Sequence, residues 1–351
     1  RLVQEGEEDG DAPVLHGLEI DVTEKPWGPG LLRLGLALGN DLERGRSSFT
    51  LLASHVQTAM DRRGGELLTD VRLGEAQGLR IEFFEPLDVG GRFFVAPRLE
   101  YQEESLDVAV GGAGEISRGV REIVAAAAFG IQFPDWGELR FEVQRGLADR
   151  RPVGPESSAP GKDAEIGAIL GRLSVDFLDS RAFPTRGTAA HVEAYRAARA
   201  LGADPAYTRL EAALLHAFTR GATTLVVEAR AGNAPGVALP VHHDFSLGGF
   251  QRLSGLRPRS VTGDRYAFGR LTVRRRVGVL PSALQGGDLH VGASFEAGNA
   301  WTRDETVRLK GLRAGGNVFV GLDTLLGPLY LAYGFADGGK DTLYLFVGRA
   351  F

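Results

Sequence analysis

The chain has 351 residues, no cysteine, 24% charged residues and a formal net charge of -5 at pH 7. A disulfide scaffold and a cysteine-ligated metal are therefore excluded, and the acidic balance argues against nucleic acid as a partner. The nearest approach to a long apolar run is Ile123 to Gly130, too short for a membrane-spanning helix, although this says nothing against a barrel of alternating strands.

In chain order, residues 1–24 read as two short strands, Arg1 to Gln4 and Leu18 to Val22, around the acidic turn Glu5 to Asp11. Two strands bury no core of their own, so this part is expected to be the tail of a domain, and the chain a mature or truncated piece of something longer. Pro26 and Pro29, with Gly28 and Gly30, then break regular structure. From Leu31 the pattern has a period of two. Leu32, Leu34, Leu36 and Leu38 alternate with Arg33, Gly35 and Ala37, and Leu139, Phe141 and Val143 with Arg140, Glu142 and Gln144. Leu289, Val291, Ala293 and Phe295 alternate with His290, Gly292, Ser294 and Glu296. About sixteen such segments recur between residue 31 and the C-terminus, many long enough to cross hydrocarbon when tilted.

Strict alternation makes one apolar and one polar face. In a soluble sandwich the apolar face is the core; in a membrane barrel it faces lipid and the polar face lines the lumen. Short connections such as Asp61 to Gly64 and Pro134 to Gly137 alternate with long ones such as 232–263 and Thr302 to Lys310. That arrangement is the outer-membrane pattern of short periplasmic turns and long outer loops. The expectation is all-β: a transmembrane antiparallel β-barrel of about sixteen strands over 25–351, ending on a strand with Phe351. Inward parity places Glu82, Arg140, Glu142, Glu228, Arg230, Arg270, Arg274 and Glu296 in the lumen, with mixed signs that suit paired networks.

The segment 232–263 is far longer than a hairpin turn. Leu247, Phe250, Leu253 and Leu256 give it apolar anchors, and Gly248-Gly249 lets it turn tightly. It is expected to fold back into the lumen, where Arg252 would meet Glu296 as a charge-assisted pair. His242-His243-Asp244 is the one dense cluster of histidine and acid. Neighbours in an extended loop point apart and no further ligand is evident, so no metal site and no cofactor is expected. No G-x-S-x-G elbow occurs, and no catalytic residue is assigned.

These residues resemble a family. Asp179, Arg181, Pro184 and Gly187 resemble the aspartate-to-proline-to-glycine turn of the bacterial surface-antigen barrels, a superfamily that includes barrel-assembly insertases and two-partner secretion transporters. Gly248-Gly249 and Ser254-Gly255-Leu256 resemble its sixth outer loop, which typically locks into the lumen through an arginine. Gly292, Phe295, Glu296, Gly298 and Trp301 resemble its Phe-x-Asp strand. Here Ser254 stands at the arginine's place and Glu296 at the aspartate's. Across nearly the whole chain the similarity is closer to the C-terminal barrel of patatin-like phospholipases, through Lys25 to Pro29, Phe83 to Leu87, Arg92 to Pro97 and Leu247 to Gly255. Residues 1–24 are similar to the end of a polypeptide-transport-associated (POTRA) domain.

The resemblance implies a bacterial outer-membrane barrel that anchors, and translocates or displays, an N-terminal patatin-like phospholipase whose Ser-Asp dyad lies outside this chain. The implied partners are outer-membrane lipid, the barrel-assembly machinery, a fused or separate passenger and, by analogy with related lipases, a second copy. An insertase or two-partner transporter for separate clients is the alternative in the same architecture. A soluble β-protein binding a ligand in a cleft is the alternative from another class.

Overall fold

The computed structural model describes residues 2–5, 15–18, 30–42, 46–110, 114–152, 164–280, 287–324 and 327–348. The chain divides into two units, Arg1–Gly30 and Leu31–Phe351. In the first, β1 (Leu2–Glu5) pairs antiparallel with β2 (Leu15–Leu18), from Leu2 opposite Leu18 to Glu5 opposite Leu15. The second strand thus starts three residues before the expected Leu18, and the motif Lys25 to Pro29 lies outside the described residues.

The second unit contains a closed barrel of sixteen strands. They are β3 (Gly30–Asp41), β4 (Arg46–Gln57), β5 (Glu66–Gly74), β6 (Ala76–Pro86), β7 (Phe93–Val110), β8 (Gly114–Phe133), β9 (Gly137–Pro152) and β10 (Ala164–Asp176). Then come β11 (Gly187–Ala197), β12 (Tyr207–Arg220), β13 (Thr223–Asn233), β16 (Arg265–Val279), β17 (Asp288–Trp301), β18 (Arg313–Thr324), β19 (Gly327–Ala336) and β20 (Lys340–Gly348). Two further short strands, β14 (Phe245–Leu247) and β15 (Val261–Gly263), pair with each other within the loop between β13 and β16. The barrel closes where β20 pairs antiparallel with β3, from Thr342 opposite Asp41 to Gly348 opposite Gly35. Closure leaves the barrel without a free edge strand.

The alternation is inverted relative to a water-soluble protein. Phe141 is 56% exposed and Val143 50%, whereas the intervening Arg140, Glu142 and Gln144 are 7%, 4% and 8% exposed. No apolar core separates two sheets, so the sandwich alternative gives way to a single closed sheet. Inside, the charges pair across strands. Arg140 meets Glu82 at 3.1 Å, Arg172 meets Glu193 at 2.7 Å, and Arg270 meets Glu228 at 2.6 Å. Removing one member of such a buried pair strands its partner, at a cost of about 3–5 kcal/mol.

The connections are less regular than simple alternation of short and long. At the end bearing the long loop, β5 and β6 are joined through Glu75 alone. At the opposite end, residues 177–186 join β10 to β11. One strand also departs from alternation: β8 carries small apolar residues inward, with Ala126 8% and Ala128 4% exposed. There the buried Phe94 ring fills the lumen side, and a Cβ built on Gly130 would lie 2.2 Å from it. Small residues at these positions make room for the ring.

Candidate lumen plug

The molecule's main apolar cluster lies inside the barrel, between the loop and the wall. Phe245, Leu247, Leu253 and Leu256 from the loop pack with Leu170, Tyr195, Tyr207, Tyr266 and Phe268 from the strands. Leu247, Leu253 and Leu256 are each at most 2% exposed, and burying such a side chain contributes about 1.5–3 kcal/mol. The loop's base is fixed by Asp264. Its carboxylate accepts the Leu239 N–H at 2.6 Å and the Arg303 N–H at 2.9 Å.

The tip, residues 248–256, is a knot of left-handed backbone. Gly248, Gly249 and Gly255 have φ of 124°, 94° and 106°, and the non-glycines Gln251 and Leu253 have φ of 60° and 70°. Such conformations at non-glycine residues persist only where surrounding contacts hold them. Gly255 leaves no room for a side chain, since a Cβ there would sit 2.4 Å from the Phe335 backbone. The tip closes on itself through Gly248 N–H to Arg252 O at 2.7 Å and Gly249 N–H to Leu256 O at 2.8 Å.

This strained tip presents Ser254 to Glu296 of β17. The Ser254 N–H donates to Glu296 Oε2 at 2.6 Å, and its hydroxyl donates to Oε1 at 2.9 Å. Ser294 Oγ donates to the same Oε1 at 2.7 Å, and Asn317 Nδ2 approaches it at 2.9 Å. The Ser254 hydroxyl in turn accepts the Gln251 N–H at 2.8 Å. Glu296, Ser254 and Asn317 are fully buried, and among the described residues the Glu296 carboxyl group is met by neutral donors.

Arg252 and Glu296 do not form the expected pair. The Arg252 side chain makes no hydrogen bond or salt bridge to any described residue. It projects into a polar cavity of about 360 Å³ lined also by Glu193, Arg209, Glu211 and Tyr266. Burial, joined by the charge of Arg230, lowers its pKa, against the opposing pull of Tyr266, Glu228 and Glu211. Ser294 and Asn317 were overlooked as partners, although the inward parity of their strands already aimed them at the lumen.

The loop also reaches the closing seam. Thr342 Oγ1 on β20 donates to Gly255 O at 3.3 Å, and Arg257 lies 3.9 Å from Asp41 on β3. Thr342 and Asp41 face each other in the β20–β3 register, so the loop touches both sides of that seam.

The opposite end is entered by residues 177–186. Asp179 Oδ1 accepts the Thr185 N–H at 2.8 Å and the Arg186 N–H at 3.2 Å. Its slight burial raises the carboxyl pKa, but the Thr185 hydroxyl and these amides outweigh it and hold the pKa below the usual range. Arg181 pairs with Asp176 at 2.8 Å, and the Pro184 carbonyl accepts from the buried Arg274. Gly187, at φ 107°, ends the turn where a Cβ would lie 2.0 Å from Phe177 O. The turn carries Phe183, 4% exposed, into the barrel, where its ring packs on His290 at 4.6 Å and Tyr330 at 5.1 Å. Phe351, expected as a C-terminal signature, lies outside the described residues.

Solved structures share this architecture. BamA from Haemophilus ducreyi, in a structure lacking POTRA domains 1–3, superposes with a TM-score of 0.71 at 12% identity, over 99% of this chain and 74% of that one. CdiB from Acinetobacter baumannii gives 0.65 at 8% identity, over 95% of this chain and 60% of that one. CdiB from Escherichia coli gives 0.65 at 11%, over 99% and 67%. No curated protein matches the sequence. At these identities the structural likeness speaks for the fold. The family follows from residues 126–351, well over half the chain, which match the Omp85 superfamily domain, and this barrel with its seated loop belongs to the Omp85 superfamily.

Proposed function

We propose that the chain is a bacterial outer-membrane barrel that anchors and handles a polypeptide, with the 232–263 loop as a lumen plug locked at its tip. The observation that carries the reading is the buried contact of Ser254 with Glu296. It ties a strained, apolar loop to the barrel wall by a few hydrogen bonds that release without unfolding a strand. Leucines and aromatics on the outer face suit a hydrocarbon surround, where in water they would be an aggregation-prone patch. In its finer form, the handled polypeptide is a fused, N-terminal patatin-like phospholipase, supported by the branch-like segments Phe83 to Leu87, Arg92 to Pro97 and Leu247 to Gly255. Residues 1–24 then belong to a POTRA domain on the periplasmic side. Separate clients are the second reading, favoured by the likeness to BamA and CdiB.

The test bridges the tip to the wall. A Cβ added at Gly334 would lie 2.9 Å from Ser254 Cβ, so Ser254→Cys with Gly334→Cys forms a disulfide after a shift of about 1 Å. The reading expects detergent-dependent extraction, heat-shifted gel mobility, and reversible loss of passenger display or client insertion when the bridge is oxidised. Extraction without detergent would remove the membrane assignment. Unchanged passenger handling in the bridged protein would remove the plug's role. The upstream sequence separates the two forms: a lipase domain supports the fused passenger, several POTRA repeats the separate client.

A further inference from the structure

A second cluster on the loop has no part in the tip contact. His242 and His243, adjacent in sequence, have ring centroids 4.8 Å apart with planes inclined by 60°. They face Glu122, an inward residue of β8. His242 Nε2 lies 3.4 Å from Glu122 Oε1. One ligand atom from each of the three residues falls within 4.8 Å of the others. The third ligand comes from a strand about 120 residues earlier, a separation that no local spacing reveals.

The surroundings are those of a built site. The Tyr207 hydroxyl contacts His243 Nδ1. In the tautomer with Nδ1 protonated, the Nε2 lone pair is the one that can bond a metal. Metal-binding histidines are ordinarily oriented by such a bond from the other ring nitrogen. The edges of Tyr195 and Tyr207, at 5.1 Å and 5.6 Å, hold the His243 ring in place. Two imidazoles and a carboxylate are the donor set of zinc sites with an open fourth position. That position faces the 360 Å³ lumen cavity, which Glu122, His242 and His243 line.

We propose that Glu122, His242 and His243 bind a divalent transition metal of the zinc type, which pins the loop to the β8 wall. A tetrahedral ion holds its ligand atoms roughly 3.3 Å apart, so the widest gap closes by about 1.5 Å through side-chain rotation. Glu296 sits on β17, and β8 and β17 are separated by seven strand steps one way round the barrel and nine the other. The metal therefore holds the loop on the wall opposite the Ser254 contact, and the loop spans the lumen between two anchors.

The experiment uses the full chain, purified in detergent without a histidine tag and stripped with a chelator, then titrated with Zn²⁺ and Co²⁺. The expected result is one Zn²⁺ per chain and visible Co²⁺ bands of a four-coordinate site that Zn²⁺ displaces. Glu122→Gln weakens binding at least tenfold, and His243→Ala abolishes it. His55→Ala leaves binding unchanged. Thiol labelling of Ser246→Cys slows at least tenfold with Zn²⁺. No saturable uptake, or uptake indifferent to Glu122→Gln, overturns the site and marks an adventitious ion only. Binding that leaves the labelling rate unmoved overturns the pin. Heat-shifted mobility checks that each variant is folded, and the near-isosteric Glu122→Gln carries the test if a histidine variant is not.

Discussion

Ser254 and Arg252 show how two residues of one short tip take opposite roles. Ser254→Ala removes a donor from Glu296 and an acceptor from the Gln251 N–H, both in a buried setting. Such a loss costs about 1–3 kcal/mol. In this chain without native cysteine, that loss appears as faster thiol labelling of Gln251→Cys from outside the cell. Arg252→Ala is expected to leave the labelling rate unchanged. A Cys pair at 254 and 334 bridges readily, and a pair at 252 and 334 does not. Failure of this contrast would return Arg252 to the tip contact. The sequence showed that the tip and Glu296 belong together, because the glycine pair and the strand parity are local signals. Which side chain faces Glu296 was not legible. It depends on five positive-φ residues in succession of turns, two of them non-glycines that composition does not mark.

Among the elements, the strands were readable almost throughout. A half-lipid, half-lumen surface imposes strict alternation on most of them, and the sixteen expected segments overlap the sixteen observed strands. Alternation fails where the lumen itself is apolar, as at Ala128 beside Phe94. The turn 177–186 was legible as a motif but not as an inserted element, since insertion depends on Phe183 meeting His290 and Tyr330 from distant strands. Its geometry depends on the ionised Asp179. A carboxyl with a lowered folded pKa stabilises above its unfolded pKa and loses that contribution as pH falls through the folded value. Protection of the turn from proteolysis should therefore persist at neutral pH and fade below about pH 4. Asp179→Asn should weaken the protection at neutral pH and flatten its pH dependence. A variant with the native acid profile would show that another group controls the turn.

At the scale of the whole molecule, the lumen is filled from both ends, by the loop with its apolar cluster and by the turn with Phe183. Either plug alone is expected to obstruct the path. In planar bilayers the native chain and Phe183→Ala should conduct poorly, while Phe183→Ala combined with Ser254→Ala should open at least tenfold more often. Equal conductance in all three would mean that the lumen is blocked elsewhere. The filled interior also explains why the sequence-level view of a polar, ion-paired lumen was incomplete. Charges and aromatics share the inner face in separate zones, and only the fold shows which zone the loop covers.

The contact of Gly255 with Thr342 and of Arg257 with Asp41 has a thermodynamic corollary. Seating the loop and zipping the first strand to the last are two equilibria that share groups, so each must bias the other by the same factor. A client strand that competes for the β3 edge would weaken loop docking without touching the loop. A ligand that holds the loop down would, to the same degree, resist the intruding strand.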